Sequence, residues 1–141
     1  MHLEINNPRR LKVDRKRLEQ MVSRAQEKFA LSDMFQITVS FVSRSEIQRL
    51  NTLHRGIPKE TDVLSFSYLE GAVYEPGDVQ EIGDIIICSD VAKDQAKIRK
   101  HAFDEEVLFL CAHALLHLMG YFDDTEAEAE EMNKLAHELL A

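Results

Sequence analysis

The residues best suited to chemistry lie in one stretch, His113-Ala114-Leu115-Leu116-His117-Leu118-Met119-Gly120-Tyr121-Phe122-Asp123-Asp124. On a helix, His113 and His117 project from one face a single turn apart, a spacing that lets two imidazoles ligate one metal ion. Gly120 follows at a position where it can take the left-handed conformation that ends a helix. The turn would then carry residue 123 back toward the histidines. Asp123 supplies a carboxylate, a donor that zinc accepts. The pattern predicts one zinc ion, or another transition metal, on His113, His117 and Asp123, with Asp124 beside them as a competing ligand. Two satisfied core histidines are the alternative. Imidazoles among Leu, Phe, Cys and Met need partners, however, and a metal supplies one to each.

The same residues complete an H-x3-H-x2-G-x2-ligand spacing, that of the metzincin zinc helix. Zinc peptidases of the H-E-x-x-H kind place a glutamate directly after the first histidine as general base. Ala114 stands there instead, which argues against peptide hydrolysis by that route. His101 and His137 lack the helix-turn spacing and read as surface or packing residues. Asp62 and Ser65, polar groups just before and within an apolar strand, are expected to bond loop amides and to line a cleft floor, not to catalyse.

Positioning this stretch requires a scaffold, and hydrophobic periodicity outlines one. Leu3-Glu4-Ile5 alternates as an edge strand would. Asp14 can cap a helix running to about Phe29, with Leu18, Met21, Val22 and Ala25 on one face. Phe35 to Val42 alternates as a half-buried strand. Ser45 is expected to open a short helix carrying Ile47, Leu50 and Leu53. Residues 55–62 read as a loop into a strand from Val63 to Tyr68. A loop of about 15 residues with Gly71, Pro76 and Gly77, long enough to suggest mobility or function, precedes a third apolar strand, Asp84 to Cys88. Three helices should follow, the first capped by Ser89 and the second begun by Asp104, Glu105 and Glu106 at the positive dipole end. Thr125-Glu126-Ala127-Glu128 forms a capping box for the third, ending near Leu140. Strands and helices alternate first and helices then accumulate, which predicts an α+β domain with a small sheet covered by helices.

At 141 residues, with 45% hydrophobic and 30% charged residues, the chain has the size and mix of one globular domain. Cys88 and Cys111 sit among aliphatic neighbours and read as buried reduced thiols of a cytosolic protein. The N-terminal ten residues are polar, and the longest apolar run, Val107 to Phe122, is interrupted by histidines, so neither signal peptide nor membrane span is expected. The location read from these features is cytoplasmic. Residues 1–32 hold 8 Lys/Arg against 4 Asp/Glu, whereas residues 104–141 hold 1 against 10. A chain of net charge −8 does not coat nucleic acid through a bulk field. Local basic faces at Arg9, Arg10, Lys12, Arg15, Lys16 and Arg17, or at Lys93, Lys97, Arg99 and Lys100, are equally well read as solvated helix surfaces.

The histidine stretch resembles the signature of the YbeY family of metal-dependent endoribonucleases, whose usual form H-G-x-L-H-L-x-G-Y-D-H aligns without gaps on His113 to Asp123. Leu50-Asn51, Arg55-Gly56 and Thr61-Asp62-Val63-Leu64-Ser65-Phe66 resemble a second family segment, and Ile82-Gly83-Asp84-Ile85-Ile86-Ile87 a third. Three positions depart from the signature: Ala114 replaces glycine, Phe122 replaces aspartate and Asp123 replaces the third histidine. Aspartate is shorter, anionic and harder than imidazole, which bears on metal preference. The resemblance implies a zincin-like α+β fold over residues 1–141 as a single domain, a small mixed sheet covered by helices, and a metal-binding helix near the C-terminus. It also implies single-strand-specific RNA cleavage in 16S rRNA 3′-end maturation, beside small-subunit ribosomal proteins, with no DNA or membrane partner. Arg55, within the second motif, is then the catalytic group that grips the phosphate, since guanidinium binds phosphate bidentately. Two other functions stay open: a ribosome-assembly factor with little or no nuclease activity, and a metal-dependent hydrolase of another phosphoester.

Overall fold

Capping and periodicity start the chain as a β-α-β unit. Strand β1 (His2–Asn6) and strand β2 (Phe35–Val42) pair in parallel, joined by helix α1 (Arg15–Phe29). The Asp14 side chain accepts from the Arg17 amide at its start, and Leu18, Met21, Val22 and Ala25 are buried along one face. Helix α2 (Arg44–Arg55) leads to strand β3 (Val63–Ser67), which runs antiparallel to β4 (Gln80–Cys88). Helices α3 (Ser89–Arg99), α4 (Phe103–Leu118) and α5 (Glu126–Leu140) complete the chain. The structure is a computed structural model and describes residues 1–69 and 78–141. The expected loop with Gly71, Pro76 and Gly77 falls mostly on residues 70–77, outside them.

The four strands lie in the order β1-β2-β4-β3, with β2 and β4 parallel, so the sheet is mixed and β3 forms one edge. Helices α1, α4 and α5 pack with Ile37, Val39, Phe41, Ile85 and Ile87 in the main core. A smaller cluster of Ile47, Leu64 and Cys88, with Leu50, Phe66 and Ile86 against it, seats α2 on the sheet. The architecture is the α+β arrangement expected. Both cysteines are free and buried, and burial pushes the Cys111 thiol up to about 12. No helix among the described residues is long and apolar enough to cross a membrane.

Four local expectations are corrected. Ser43, not Ser45, caps α2, its side chain accepting from the Glu46 amide. Leu53 is 67% exposed, because steps of three residues lag the 3.6-residue turn and swing it off the face held by Ile47. Ser89 is the first residue of α3, not its cap; it is buried and its hydroxyl accepts from Arg9 Nη1 at 3.0 Å. Strand β4 starts at Gln80, four residues before the expected Asp84. A register shift at Gln36/Ile37 sets Ile37 opposite Gly83, which leaves Ile82 as the extra residue of a bulge. Ile82 and Ile85 therefore both reach the core, and the two-residue alternation that would reveal the strand is broken there.

Gly83 marks the closest approach of α4 to the sheet. A Cβ at that position would stand 2.7 and 2.9 Å from the Leu118 methyls and 3.1 Å from the Phe66 carbonyl oxygen. Leu118 follows His117, so crowding here displaces the histidine helix. Gly83→Ala is expected to cost about 1–3 kcal/mol of stability, the usual range for overpacking, read as a lowered urea midpoint.

Candidate functional site

Helix α4 presents both histidines because nearly every other face is occupied: ten of its 16 residues are buried, from Glu106 to Leu118. His113 and His117 remain half-buried and line a cleft of about 780 Å³ together with Arg55, Asp62, Ser65, Arg99, Asp123 and Asp124. His113 Nδ1 lies 2.8 Å from the Phe109 carbonyl, one turn back, and its ring meets the Phe109 ring at 4.2 Å. His117 Nδ1 lies 3.0 Å from the Tyr121 carbonyl. A nitrogen facing a carbonyl oxygen must carry the proton, so in a neutral His117 ring Nε2 keeps the lone pair. This is the tautomer and anchoring that metal-ligating histidines adopt.

The Gly120 turn makes the second anchor. With φ at 95°, Gly120 reverses the chain while Tyr121 donates its amide to the Leu116 carbonyl at 3.0 Å. The Tyr121 carbonyl is thereby placed on His117. Asp123 returns as the spacing predicts, with Oδ2 at 3.8 Å from His117 Nε2. Two ligands on one tetrahedral zinc stand about 3.3 Å apart, given bonds near 2 Å, so this pair is close to that separation. His113 Nε2 instead meets Asn133 Oδ1 from α5 at 2.9 Å, so both of its ring nitrogens face carbonyl oxygens and Nε2 offers a lone pair only once Asn133 moves away or turns its amide nitrogen inward. Among the described residues, no three His, Cys, Asp or Glu side chains stand close enough together to hold an ion as they are. The donor set nonetheless suits one: two imidazoles anchored at Nδ1, and the Asp123 and Asp124 carboxylates lining the same cleft.

Arg55 is the last residue of α2, ended by Gly56 in the left-handed conformation at φ 69°. The buried Asn51 donates its side-chain amide to the Lys59 carbonyl at 3.0 Å and pins the loop that follows. Arg55 is exposed and lines the cleft, and it has no hydrogen bond or ion pair among the described residues. Asp62 behaves as expected, accepting from the Val63 amide at 2.8 Å, and Ser65 lines the cleft.

Sequence reasoning names Arg99 only as part of a basic helix face, not of the site, and does not single out Asn133. Of the two basic stretches, only Arg99 reaches the cleft; Arg9 pairs with Asp90, Arg15 with Glu19 and Arg17 with Glu105. Arg99 Nη1 holds the fully buried Glu106 at 3.0 Å, while its guanidinium lies over the Phe109 ring, 4.6 Å from the centroid. His101 meets the other Glu106 oxygen, so it is a partner of a buried charge, and His137 is an exposed residue of α5. The Gln95 amide nitrogen, turned inward, bridges Glu106 Oε1 at 3.0 Å and Asp62 Oδ2 at 3.2 Å. Nothing in local spacing marks Arg99, because its partners lie on another helix.

A family model described as Endoribonuclease YbeY matches residues 4–141. The chain belongs to the YbeY endoribonuclease family. A YbeY endoribonuclease of a Thermoanaerobacter species is 40% identical over 154 aligned positions, covering 100% of this chain and 96% of the relative. One from Staphylococcus aureus is 39% identical over 121 positions, covering 83% and 78%. A solution structure from Thermotoga maritima superposes with a TM-score of 0.59 at 28% identity, covering 97% of this chain and 88% of that one. Against the YbeY signature, Ala114 in glycine's place is buried in the core and Phe122 in aspartate's place is 60% exposed.

The Glu106 cluster yields a stability test. Glu106→Gln keeps the shape but removes the charge that Arg99 and His101 share. A loss of about 1–3 kcal/mol is expected, the range for hydrogen bonds to charged groups, measured by chemical denaturation at neutral pH. An unchanged midpoint would mean that the Glu106 carboxylate adds no stability over its amide.

Proposed function

We propose that this YbeY-family chain, acting as a single domain, is a metal-dependent endoribonuclease that cuts single-stranded RNA in the α4 cleft. Its substrate on this reading is ribosomal RNA, at the 3′ end of 16S rRNA, in the cytoplasm and beside small-subunit ribosomal proteins. The observation that carries the proposal is the meeting in one cleft of two anchored imidazoles and a guanidinium without a partner among the described residues. The endoribonuclease name of the relatives favours cleavage over a binding-only assembly factor or a hydrolase of some other phosphoester.

His113, His117 and Asp123 would hold the ion, zinc by donor type, with Asp124 the competing carboxylate and Asn133 giving way at His113. A bound divalent ion would supply Lewis acidity toward a phosphoryl oxygen and a lowered pKa for an attacking water. Charge balance supports its presence: Asp62, Asp123 and Asp124 line the cleft together with Arg55 and Arg99, so the lining alone does not favour a polyanion. Arg55 grips the non-bridging oxygens as charge develops on them. Arg99 is held by Glu106 and Phe109, so its position is set before RNA arrives, and it offers a second cation to the same cleft.

Two tests follow from these roles. His117→Ala should lower bound metal sharply by elemental analysis, and Asp123→Ala should weaken binding more than Asp124→Ala; the reverse order would assign the site to Asp124. Arg55→Ala should retain fold and metal content while lowering cleavage of single-stranded RNA by about 10²–10³, as for loss of one donor to a developing oxyanion. Arg55→Lys should recover only part of that, lacking the bidentate fork. Parental cleavage by both variants would remove Arg55 from the catalytic role. A pure, metal-loaded parent that cuts no RNA would return the assembly-factor reading to the front.

A further inference from the structure

A second groove, about 490 Å³, lies on the other side of edge strand β3, lined by Leu50, His54, Phe66, Tyr68, Asp84 and Ile86. Ser65 lines both cavities, so only the width of β3 separates them. The consecutive residues Arg55 and His54, at the end of α2, face one each. A strand held by phosphate at Arg55 therefore meets this groove on crossing the β3 edge.

The lining has the chemistry of a base platform. The His54 and Phe66 rings meet at 4.8 Å with planes inclined by 57°, so neither covers the other's face. Tyr68 is 44% exposed and donates its hydroxyl to Asp84 Oδ2. That bond pushes the phenol up to about 12, which keeps the donor in place at any working pH. Asp84 Oδ1 has no partner among the described residues and can accept from an exocyclic amine or ring N–H. Leu50 and Ile86 give the floor an apolar surface. Single-stranded RNA is recognised by stacking of unpaired bases on such rings and by hydrogen bonds to their edges.

We propose that this groove binds one unpaired nucleobase of the RNA strand that occupies the α4 cleft, stacked against His54, Phe66 and Tyr68. The inference rests on the reading of the cleft as an RNA site and adds a subsite outside the reacting linkage. An apolar side chain of a protein partner is the competing occupant, but contiguity with the Arg55 cleft favours the base.

The test is binding of a fluorescein-labelled single-stranded RNA of about 12 nucleotides, a span typical for one small domain, to zinc-loaded protein by fluorescence anisotropy. Phosphorothioate at every linkage keeps the strand intact during the measurement. Each nucleotide is replaced in turn by an abasic one. With the parent, one position should weaken binding by about five-fold or more, the loss of one base–aromatic contact. His54→Ala and Tyr68→Ala, both at exposed positions, should weaken the intact strand similarly and abolish the penalty at that position. If no position is sensitive, or if it keeps its full penalty in both variants, the subsite is wrong. Variants that bind RNA like the parent but lose a ribosomal protein would give the groove to that partner and overturn the proposal. Cleavage of unmodified RNA by the parent is scored separately. Cutting without the coupling refutes the subsite alone, coupling without cutting refutes the nuclease reading alone, and a parent that binds no RNA refutes both.

Discussion

The burial of α4 is the constraint on which the rest of this structure depends. A helix apolar on nearly all sides has to be enclosed, and here the sheet, α1, α3 and α5 enclose it. Each large side chain so buried contributes roughly 1.5–3 kcal/mol, enough in sum to hold the helix rigidly in register. The strip that stays open, near the edge strand β3, is where His113 and His117 project. Their Nδ1 bonds to the Phe109 and Tyr121 carbonyls then restrain ring rotation and, at His117, select the tautomer. Site geometry is in this sense a by-product of core packing, made precise by two hydrogen bonds.

Electrostatics acts locally, against an unfavourable total. A chain of net charge −8 has no general attraction for RNA, and half of the eight cations in residues 1–32 are already paired with carboxylates. What positive charge the cleft has is set by individual restraints. Arg55 is delivered by a glycine-ended helix, and Arg99 is clamped by a buried glutamate and an aromatic ring. Glu106 sits in the first turn of α4, where the helix dipole favours an acid, and its full burial depends on Arg99, His101 and Gln95 together. Side chains in one such network do not contribute independently.

Features built from neighbouring residues were legible. The Asp14 cap and the buried stripe of α1, the alternation of β2 and the Thr125 cap of α5 all follow from spacing that a few residues set among themselves. The histidine pair and its glycine turn belong to the same kind, since one helical turn and one left-handed residue suffice to build them. Legibility failed where a distant partner altered the local rule. The bulge opposite Gln36/Ile37 hid the first half of β4, and Ser89, which resembles a cap, is a buried acceptor for Arg9.

The amino-acid sequence by itself determined the element types, the helix carrying His113 and His117, and the return of Asp123, because backbone periodicity and capping act over a few residues. Tertiary structure alone decided that Arg99 from α3 and Arg55 from α2 would line the cleft of those histidines, that Asn133 from α5 would meet His113, and that β3 would lie at the edge with a residue shared by two grooves. Those placements depend on sheet order and on which helix faces are buried, and both follow from enclosing one core with the whole chain at once.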